Sequence, residues 1–423
     1  MSKSQLSSAQ NESANSPYTG NLTINVTSTQ GLLPIQNASI TISLTGAPQS
    51  IVETATTNDS GQTRNITLPA PNPTYSAEPG QPMPYSEYNI TVTAPGYESV
   101  TVSGTELLPN VTAVQPISMR PADLGGLESP IVIPDHTLYG DYPPKIPEAE
   151  IKPMDESGEI VLSRVVLPEY VVVHDGVPQD STAPNYYVRY ADYIKNVVSS
   201  EIYATWPEST IYANTLAIMS FTLNRVYTEW YRNQGYNFTI TSSTAYDQKW
   251  IYGRNIYSNI SRIVDSIISN YLSRPGVRQP IFTSYCDGDR VTCTGLSQWG
   301  SRYLGEQGYT PIEIIHYYYG NDMYINSTQY ISGIPSSWPG NNLTIGSSGP
   351  KVLQLQNQLN RISENYPALP TVAEDGIYGS ATANAVREFQ RIFGLPATGV
   401  VDFPTWYKVS AIYVGVTRIA EPD

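Results

Sequence analysis

The hydrophobic period changes once along this chain, and the change bounds what it can fold into. Between residues 20 and 120 apolar and polar residues alternate in short runs: Leu22-Thr23-Ile24-Asn25-Val26, Ile40-Thr41-Ile42-Ser43-Leu44, Tyr88-Asn89-Ile90-Thr91-Val92 and Ser99-Val100-Thr101-Val102. Turn formers such as Asn58-Asp59-Ser60-Gly61 and Pro95-Gly96-Tyr97 separate them. Strand side chains point to opposite faces in turn, so period two with Thr-rich outer positions predicts an antiparallel β-sandwich. Past residue 190 the apolar residues recur every three or four positions, the period of a helix. Between the two regimes, residues 121–166 carry Pro130, Pro134, Pro143-Pro144, Pro147 and Pro153 with acidic neighbours. That composition predicts an extended linker open to proteases.

A chain of 423 residues exceeds one ordinary core, so two or three domains are expected. The net charge of −14 argues against a nucleic-acid partner, and it is unevenly spread: −4 over 1–120, −6 over 121–166 and −4 over 167–423. No apolar run approaches the roughly 18 residues of a membrane span. Met1-Ser2-Lys3-Ser4-Gln5-Leu6 offers no apolar signal-peptide core, so cytoplasmic synthesis or an unusual export route is expected. Residues 1–18 are polar, and a disordered start over 1–19 is expected. Cys286 and Cys293 leave two readings open, a local disulfide or two buried thiols. The Asn-x-Ser/Thr triplets of the first region reflect the abundance of Asn and Thr in its strands.

Helical spacing singles out one carboxylate. In the stretch from Asp192 to Ile202, Glu201 lies seven, four and three residues beyond Ile194, Val197 and Val198, on the apolar face. Burial penalises the charged form of a carboxylate, which suits a general acid near neutral pH; a buried glutamate held by an Arg or a backbone N–H is the plainer alternative. Thr205-Trp206-Pro207-Glu208 then reads as a capping-box-like helix start, leading into a long helix through Ile211, Leu216, Met219, Leu223, Val226 and Trp230 that ends before Gly235. Another helix is expected over roughly 256–272. Of the 33 tyrosines, 22 fall in residues 167–332, where some can stack on sugar rings. Competing acids read as structural: Glu208 as a cap, Asp247 as a turn or groove residue, Glu229 and Glu313 as solvated faces. His174 and His316 stand alone, without a triad to Ser297.

Residues 345–415 combine Val352-x-x-Leu355-Gln356, Asp375-Gly376-Ile377-Tyr378-Gly379-Ser380-Ala381-Thr382, Phe389-Gln390 and Thr398-Gly399. This pattern closely resembles the three-helix peptidoglycan-binding domain of cell-wall hydrolases. Read as residues, Gly376 and Gly379 permit a tight turn, Thr382 helps cap a helix, and Val352, Leu355, Val386 and Phe389 are core. The wall-binding role of the module around Asp375, Tyr378 and Thr382 is implied by the resemblance alone.

The central region resembles the stage II sporulation protein D family of lytic transglycosylases through two blocks. One is Val197-Val198-Ser199-Ser200-Glu201-Ile202; the other runs from Gly295-Leu296-Ser297-Gln298-Trp299-Gly300 to Ile315-His316-Tyr317-Tyr318-Tyr319-Gly320. The resemblance makes Glu201 the catalytic acid and Ser297, Gln298 and Trp299 a substrate-groove loop, with Asp247, Tyr246 and Asn214 as further groove candidates. Asn214, Met219 and Val291-Thr292-Cys293 depart from the family pattern. Some members bind zinc near Ser242–Gln248, where this chain has no Cys or His, so no metal and no cofactor are expected. A hydrolase normally employs two carboxylates, whereas a lytic transglycosylase needs one.

The fold class that follows is multidomain: an N-terminal antiparallel β-sandwich over 20–120, an acidic linker over 121–166 bearing an activation cleavage, a central α+β catalytic domain over 167–332 and the three-helix peptidoglycan-binding domain over 340–415. That order resembles the clostridial spore cortex-lytic enzymes. The resemblance implies a zymogen held in the spore, activated by a germination-specific subtilisin-like protease and acting on cortex peptidoglycan. N-acetylmuramoyl-L-alanine amidase activity and a non-catalytic wall-binding role are the alternatives.

Overall fold

The computed structural model describes residues 16–29, 32–122, 130–152, 164–328, 330 and 339–417. The start of the chain, and the residues 153–163 near which cleavage is expected, lie outside the described residues. Seven strands open the fold: β1 (Thr19–Ser28), β2 (Ser39–Leu44), β3 (Ile51–Thr56), β4 (Ile66–Pro69), β5 (Ser86–Thr93), β6 (Val100–Leu107) and β7 (Thr112–Met119). The alternating residues do what their spacing predicts. Leu22, Ile24, Val26, Ile40, Ile42, Ile90, Val92, Val100 and Val102 all turn inward and are buried. Each such side chain contributes roughly 1.5–3 kcal/mol on burial.

The sheets are mixed rather than antiparallel throughout. β1 pairs with β7 in parallel from Asn21/Thr112 to Ser28/Met119, while β4 flanks it antiparallel. Parallel neighbours need a long crossover. Here the whole β2–β6 passage supplies it. In the second sheet, β8 (Ile131–Val132) adds to β6 in parallel, giving the order β3-β2-β5-β6-β8.

The rest of the chain builds a mixed region from β9 (Tyr170–His174), β10 (Asn185–Arg189), α1 (Tyr190–Glu201), α2 (Glu208–Tyr227), β11 (Ile240–Thr241), β12 (Ile256–Tyr257), α3 (Ser258–Ile267), β13 (Asn270–Ser273), β14 (Tyr285–Cys286), β15 (Leu296–Ser297), α4 (Gln298–Glu306), α5 (Pro311–Tyr319) and β16 (Tyr324–Ser327). The long helix stops at Tyr227, short of Trp230. Its start has no side-chain cap: Pro207 occupies that position, Glu208 pairs with Arg262 at 2.9 Å, and Thr205 bonds the Ser76 hydroxyl. The capping box lies elsewhere, where Glu313 accepts from Thr310 N–H at 2.8 Å, so Glu313 closes a helix end. The helix expected over 256–272 is shorter because Ile256 and Tyr257 leave it for a strand.

That strand crosses the expected domain boundary. β12 pairs with β7, placing Ile256 opposite Val114 and extending the N-terminal sheet. Around it, Arg254 pairs with Glu106 at 2.7 Å, Asn255 and Glu106 exchange two hydrogen bonds, and Gln115 donates to the Gly253 carbonyl. One hydrophobic cluster runs from Leu22 to Met323 and takes in Tyr407 of the C-terminal region. The first two regions therefore share a core.

The C-terminal helical region has a core of its own. Helices α6 (Pro350–Ser363), α7 (Ser380–Ile392) and α8 (Phe403–Thr417) close around Val352, Leu355, Leu359, Val386, Phe389 and Trp406. Tyr366 Oη donates to the Leu32 carbonyl and Gln62 to the Ile392 carbonyl, seating this region on the N-terminal sheets.

The acidic segment is not free. Residues 130–152 form a strap, pinned where acidic side chains meet two arginines of the central region. Arg225 grips Glu148 with both terminal nitrogens, at 2.9 and 2.6 Å; Arg274 pairs with Glu150. The segment's charge suggested a solvated linker because its partners lie more than 70 residues away in sequence.

Candidate active site

Glu201 is the last residue of α1 and is 4% exposed. The side chains that precede it on the helix, Ile194, Val197 and Val198, are fully buried, so the register read from sequence places the carboxylate at the edge of the core. Three donors hold it. The Lys249 backbone N–H donates to Oε1 at 2.9 Å, the Tyr285 hydroxyl to Oε1 at 3.4 Å, and Gln298 Nε2 to Oε2 at 3.2 Å. Burial, reinforced by the Glu201 charge, pushes the Tyr285 hydroxyl well above its ordinary range, so it remains a donor.

The Lys249 donor is braced in turn. Asp247, two residues before Lys249, is fully buried; it receives Arg225 Nε at 2.7 Å, the Tyr231 hydroxyl at 2.6 Å and both the N–H and hydroxyl of Thr241. Gln248 accepts from Tyr193 and Thr222 and donates to the Ile218 carbonyl. The loop that presents the Lys249 N–H is thus nailed to α2 and β11. Asp247 is a structural brace with no face left for a ligand, which corrects its place among groove candidates.

Tyr246 and Asn214 also stand outside the cleft. Tyr246 lends its carbonyl to Arg225, and Asn214 ties α2 to α4 through Ser301 Oγ at 2.8 Å. Of the Ser297-Gln298-Trp299 block, only Gln298 reaches the acid. Ser297 caps α4, its Oγ accepting from Gly300 N–H at 2.9 Å. Trp299 packs against Trp206 and Tyr203, at 5.0 and 6.1 Å between ring centres. The cysteines are bridged, closing a loop that runs past Gly288. Gly288 has φ +79°, and a Cβ there would collide with Ser297 Oγ, so only glycine lets this loop approach the cap.

The cleft contains groups that sequence reasoning missed. A cavity of about 60 Å³, room for a handful of waters, is lined by Glu201, Tyr285, Gln298, Asp287 and Arg290, and by Pro143, Pro144 and Lys145 of the strap. Asp287 is a second carboxylate in the same cavity, engaged by Arg290 Nε at 2.9 Å and Val291 N–H at 2.9 Å. Nothing in local spacing marks Tyr285 or Asp287; both arrive through strand β14 and the disulfide loop. Among the described residues no group of three His, Cys, Asp or Glu could hold a metal ion, and no helix is long and apolar enough to cross a membrane.

In the C-terminal region the named residues surround Gln356. Its Nε2 donates to Asp375 Oδ1 at 3.0 Å and Thr382 Oγ1 at 3.2 Å, and its Oε1 accepts from Gly376 N–H. Tyr378 is buried, its hydroxyl on the Gly399 carbonyl at 2.9 Å. These residues hold the module's turn.

Residues 348–409 match the family model of a peptidoglycan binding domain, so the chain carries such a domain there. No curated protein matches the chain. Among solved structures, the TIE protein of Bacillus anthracis is 16% identical with a TM-score of 0.17, covering 25% of this chain and 17% of its own. The minor pilin GBS52 of Streptococcus agalactiae is 13% identical with a TM-score of 0.18, covering 26% and 48%. The 3-chlorocatechol 1,2-dioxygenase of Rhodococcus opacus is 10% identical with a TM-score of 0.17, covering 25% and 60%. The chain spans less than two thirds of each, and likenesses this small carry no argument about fold or activity.

Proposed function

We propose that this chain is the zymogen of a spore cortex-lytic enzyme, a peptidoglycan lytic transglycosylase whose acid and base is Glu201. The observation that carries the reading is a nearly buried carboxylate held by three neutral donors at a cleft, in a chain that also bears a peptidoglycan-binding domain. In the reaction, protonated Glu201 gives its proton to the glycosidic oxygen as the muramic C1–O bond breaks. The resulting carboxylate takes the proton of the muramic 6-hydroxyl, whose oxygen closes on C1 as a 1,6-anhydro ring. No water is consumed. Gln298, Tyr285 and the Lys249 N–H keep the carboxyl aimed through both transfers. On this reading the peptidoglycan-binding domain holds the enzyme on cortex glycan, and a germination-specific subtilisin-like protease releases it in the spore.

Asp287 favours a second reading, a two-carboxylate hydrolase in which Asp287 activates water. Mass spectrometry of products from purified cortex separates the two. Anhydro-muramic ends that vanish in Glu201→Gln support the transglycosylase. Reducing muramic ends that vanish equally in Asp287→Asn support the hydrolase, free stem peptides an amidase, and no products a binding protein.

A further inference from the structure

The strap is built into the cleft at more points than a passing linker needs. Upstream, Ile133 N–H donates to the Ser103 carbonyl and His136 N–H to the Tyr85 hydroxyl, bonds internal to the N-terminal fragment that fix the strap's course, and Thr137 Oγ1 donates across to the Ser200 carbonyl at 2.7 Å, one residue from the acid. Arg290, on the disulfide loop, donates to the carbonyls of Thr137 and Gly140. The chain then turns through Tyr142, Pro143 and Pro144 over the cavity. Lys145 drops beside it, its ammonium 4.4 Å from the centre of the Tyr285 ring and bonded to the Asp247 carbonyl. Downstream, Ile146 N–H donates to the Ala245 carbonyl at 2.7 Å; beyond it stand the Glu148–Arg225 and Glu150–Arg274 pairs, and Lys152 exchanges two hydrogen bonds with Gln279.

Every one of these contacts lies before residue 153, and none depends on covalent continuity with residue 164. The N-terminal fragment is held further by the β7/β12 pairing and the Glu106–Arg254 pair. The strap also lines the cavity that a bridging oxygen must enter to reach Glu201.

We infer that residues 137–145 are a plug seated over Glu201, and that after a cut between residues 152 and 164 the N-terminal fragment stays bound with the plug in place. The cut is then necessary but not sufficient; displacement of the strap is the activating event. This rests on the reading of Glu201 as the acid only for its activity arm.

The test inserts an engineered protease site between Pro153 and Arg164 of the full chain and cuts the folded protein. The fragments should co-elute on size exclusion without denaturant, and cortex cleavage should rise less than about twofold. In the cut P143G/P144G/K145G variant, which leaves both anchors intact, cleavage should rise at least tenfold. Carbodiimide coupling of an amine to Glu201, followed by peptide mass spectrometry, should likewise run at least tenfold faster in that variant. Fragments that separate on cutting, full activity from the cut alone, or equal labelling of Glu201 in both proteins would overturn the inference. Faster labelling with no glycan product from any form leaves the plug standing and rejects the transglycosylase reading.

Discussion

Two glutamates are buried among the described residues, Glu106 at 1% exposure and Glu201 at 4%, and they are treated differently. Glu106, where the N-terminal sheets meet the central region, faces the guanidinium of Arg254 at 2.7 Å. Burial pushes its carboxyl upward and Arg254 pulls it back. Glu201 receives only neutral donors among the described residues and looks into a cavity. A cation locks a carboxylate in its charged form. Neutral donors orient Glu201 without a hydrogen-bonded ion pair. The first arrangement joins two regions; the second suits proton transfer.

The comparison breaks if the two residues respond alike to substitution. Glu201→Gln should lower glycan cleavage by about 10²–10⁴-fold, the usual weight of a general acid, while the thermal midpoint stays within a degree or two. A midpoint loss as large as that of a core variant would make Glu201 structural. Glu106→Ala should do the reverse. It strands Arg254 in the interior, and removal of one partner of a buried pair costs about 3–5 kcal/mol. Denaturant unfolding should show that loss, with per-molecule activity of the folded fraction unchanged. Asp247→Asn falls between the two: it deprives Arg225 and loosens the loop carrying the Lys249 N–H, so stability should drop by about 2–4 kcal/mol and the turnover number several-fold. Retained stability with lost activity would return Asp247 to the catalytic set.

What was legible in the sequence was local. Period two placed Leu22, Ile24 and Val26 inward, and period 3.6 put Glu201 at the edge of the core, because both patterns follow from backbone geometry alone. Hidden from it was everything that depends on distant partners. Ile256 reads as the start of a helix, yet it pairs with Val114. Residues 121–166 read as an extended acidic linker, yet within it Glu148 and Glu150 each meet an arginine from another element. Tyr285 and Asp287 reach the cleft only once β14 and the Cys286–Cys293 loop are in place. Asp247 drew attention as a polar residue in a candidate groove; a lone carboxylate in sequence gives no sign of its three partners.

A half-buried acid sharpens the contrast through pH. Glu87, near Glu106 and Asp135, is pushed up to about 7, first by burial and then by those two charges. Its folded value exceeds its unfolded one, so folding prefers the protonated form. The penalty is absent below about pH 4.5 and grows as pH rises through about 7. At one pKa unit per about 1.4 kcal/mol, stability should fall by on the order of 2 kcal/mol between pH 5 and 8. Glu87→Gln should flatten that slope in urea melts, and an unchanged slope would assign the dependence to another group.

The smallest expected effect concerns the C-terminal region, whose own core around Tyr378 should insulate that residue from the cleft although Tyr407 packs into the larger cluster. Tyr378→Phe removes the hydroxyl that donates to the Gly399 carbonyl, one buried bond worth about 0.5–1.5 kcal/mol, and keeps the ring among its apolar neighbours. The module should lose that much stability and retain most of its affinity for peptidoglycan sacculi in a pelleting assay, because the hydroxyl faces inward. Accessibility of Glu201 to carbodiimide should not change at all. A shift in Glu201 labelling would mean that the two cores communicate, through Tyr407 and Phe403 or through the contacts that seat Tyr366 on Leu32 and Ile392 on Gln62, and the wall-binding module would then help to set the state of the strap.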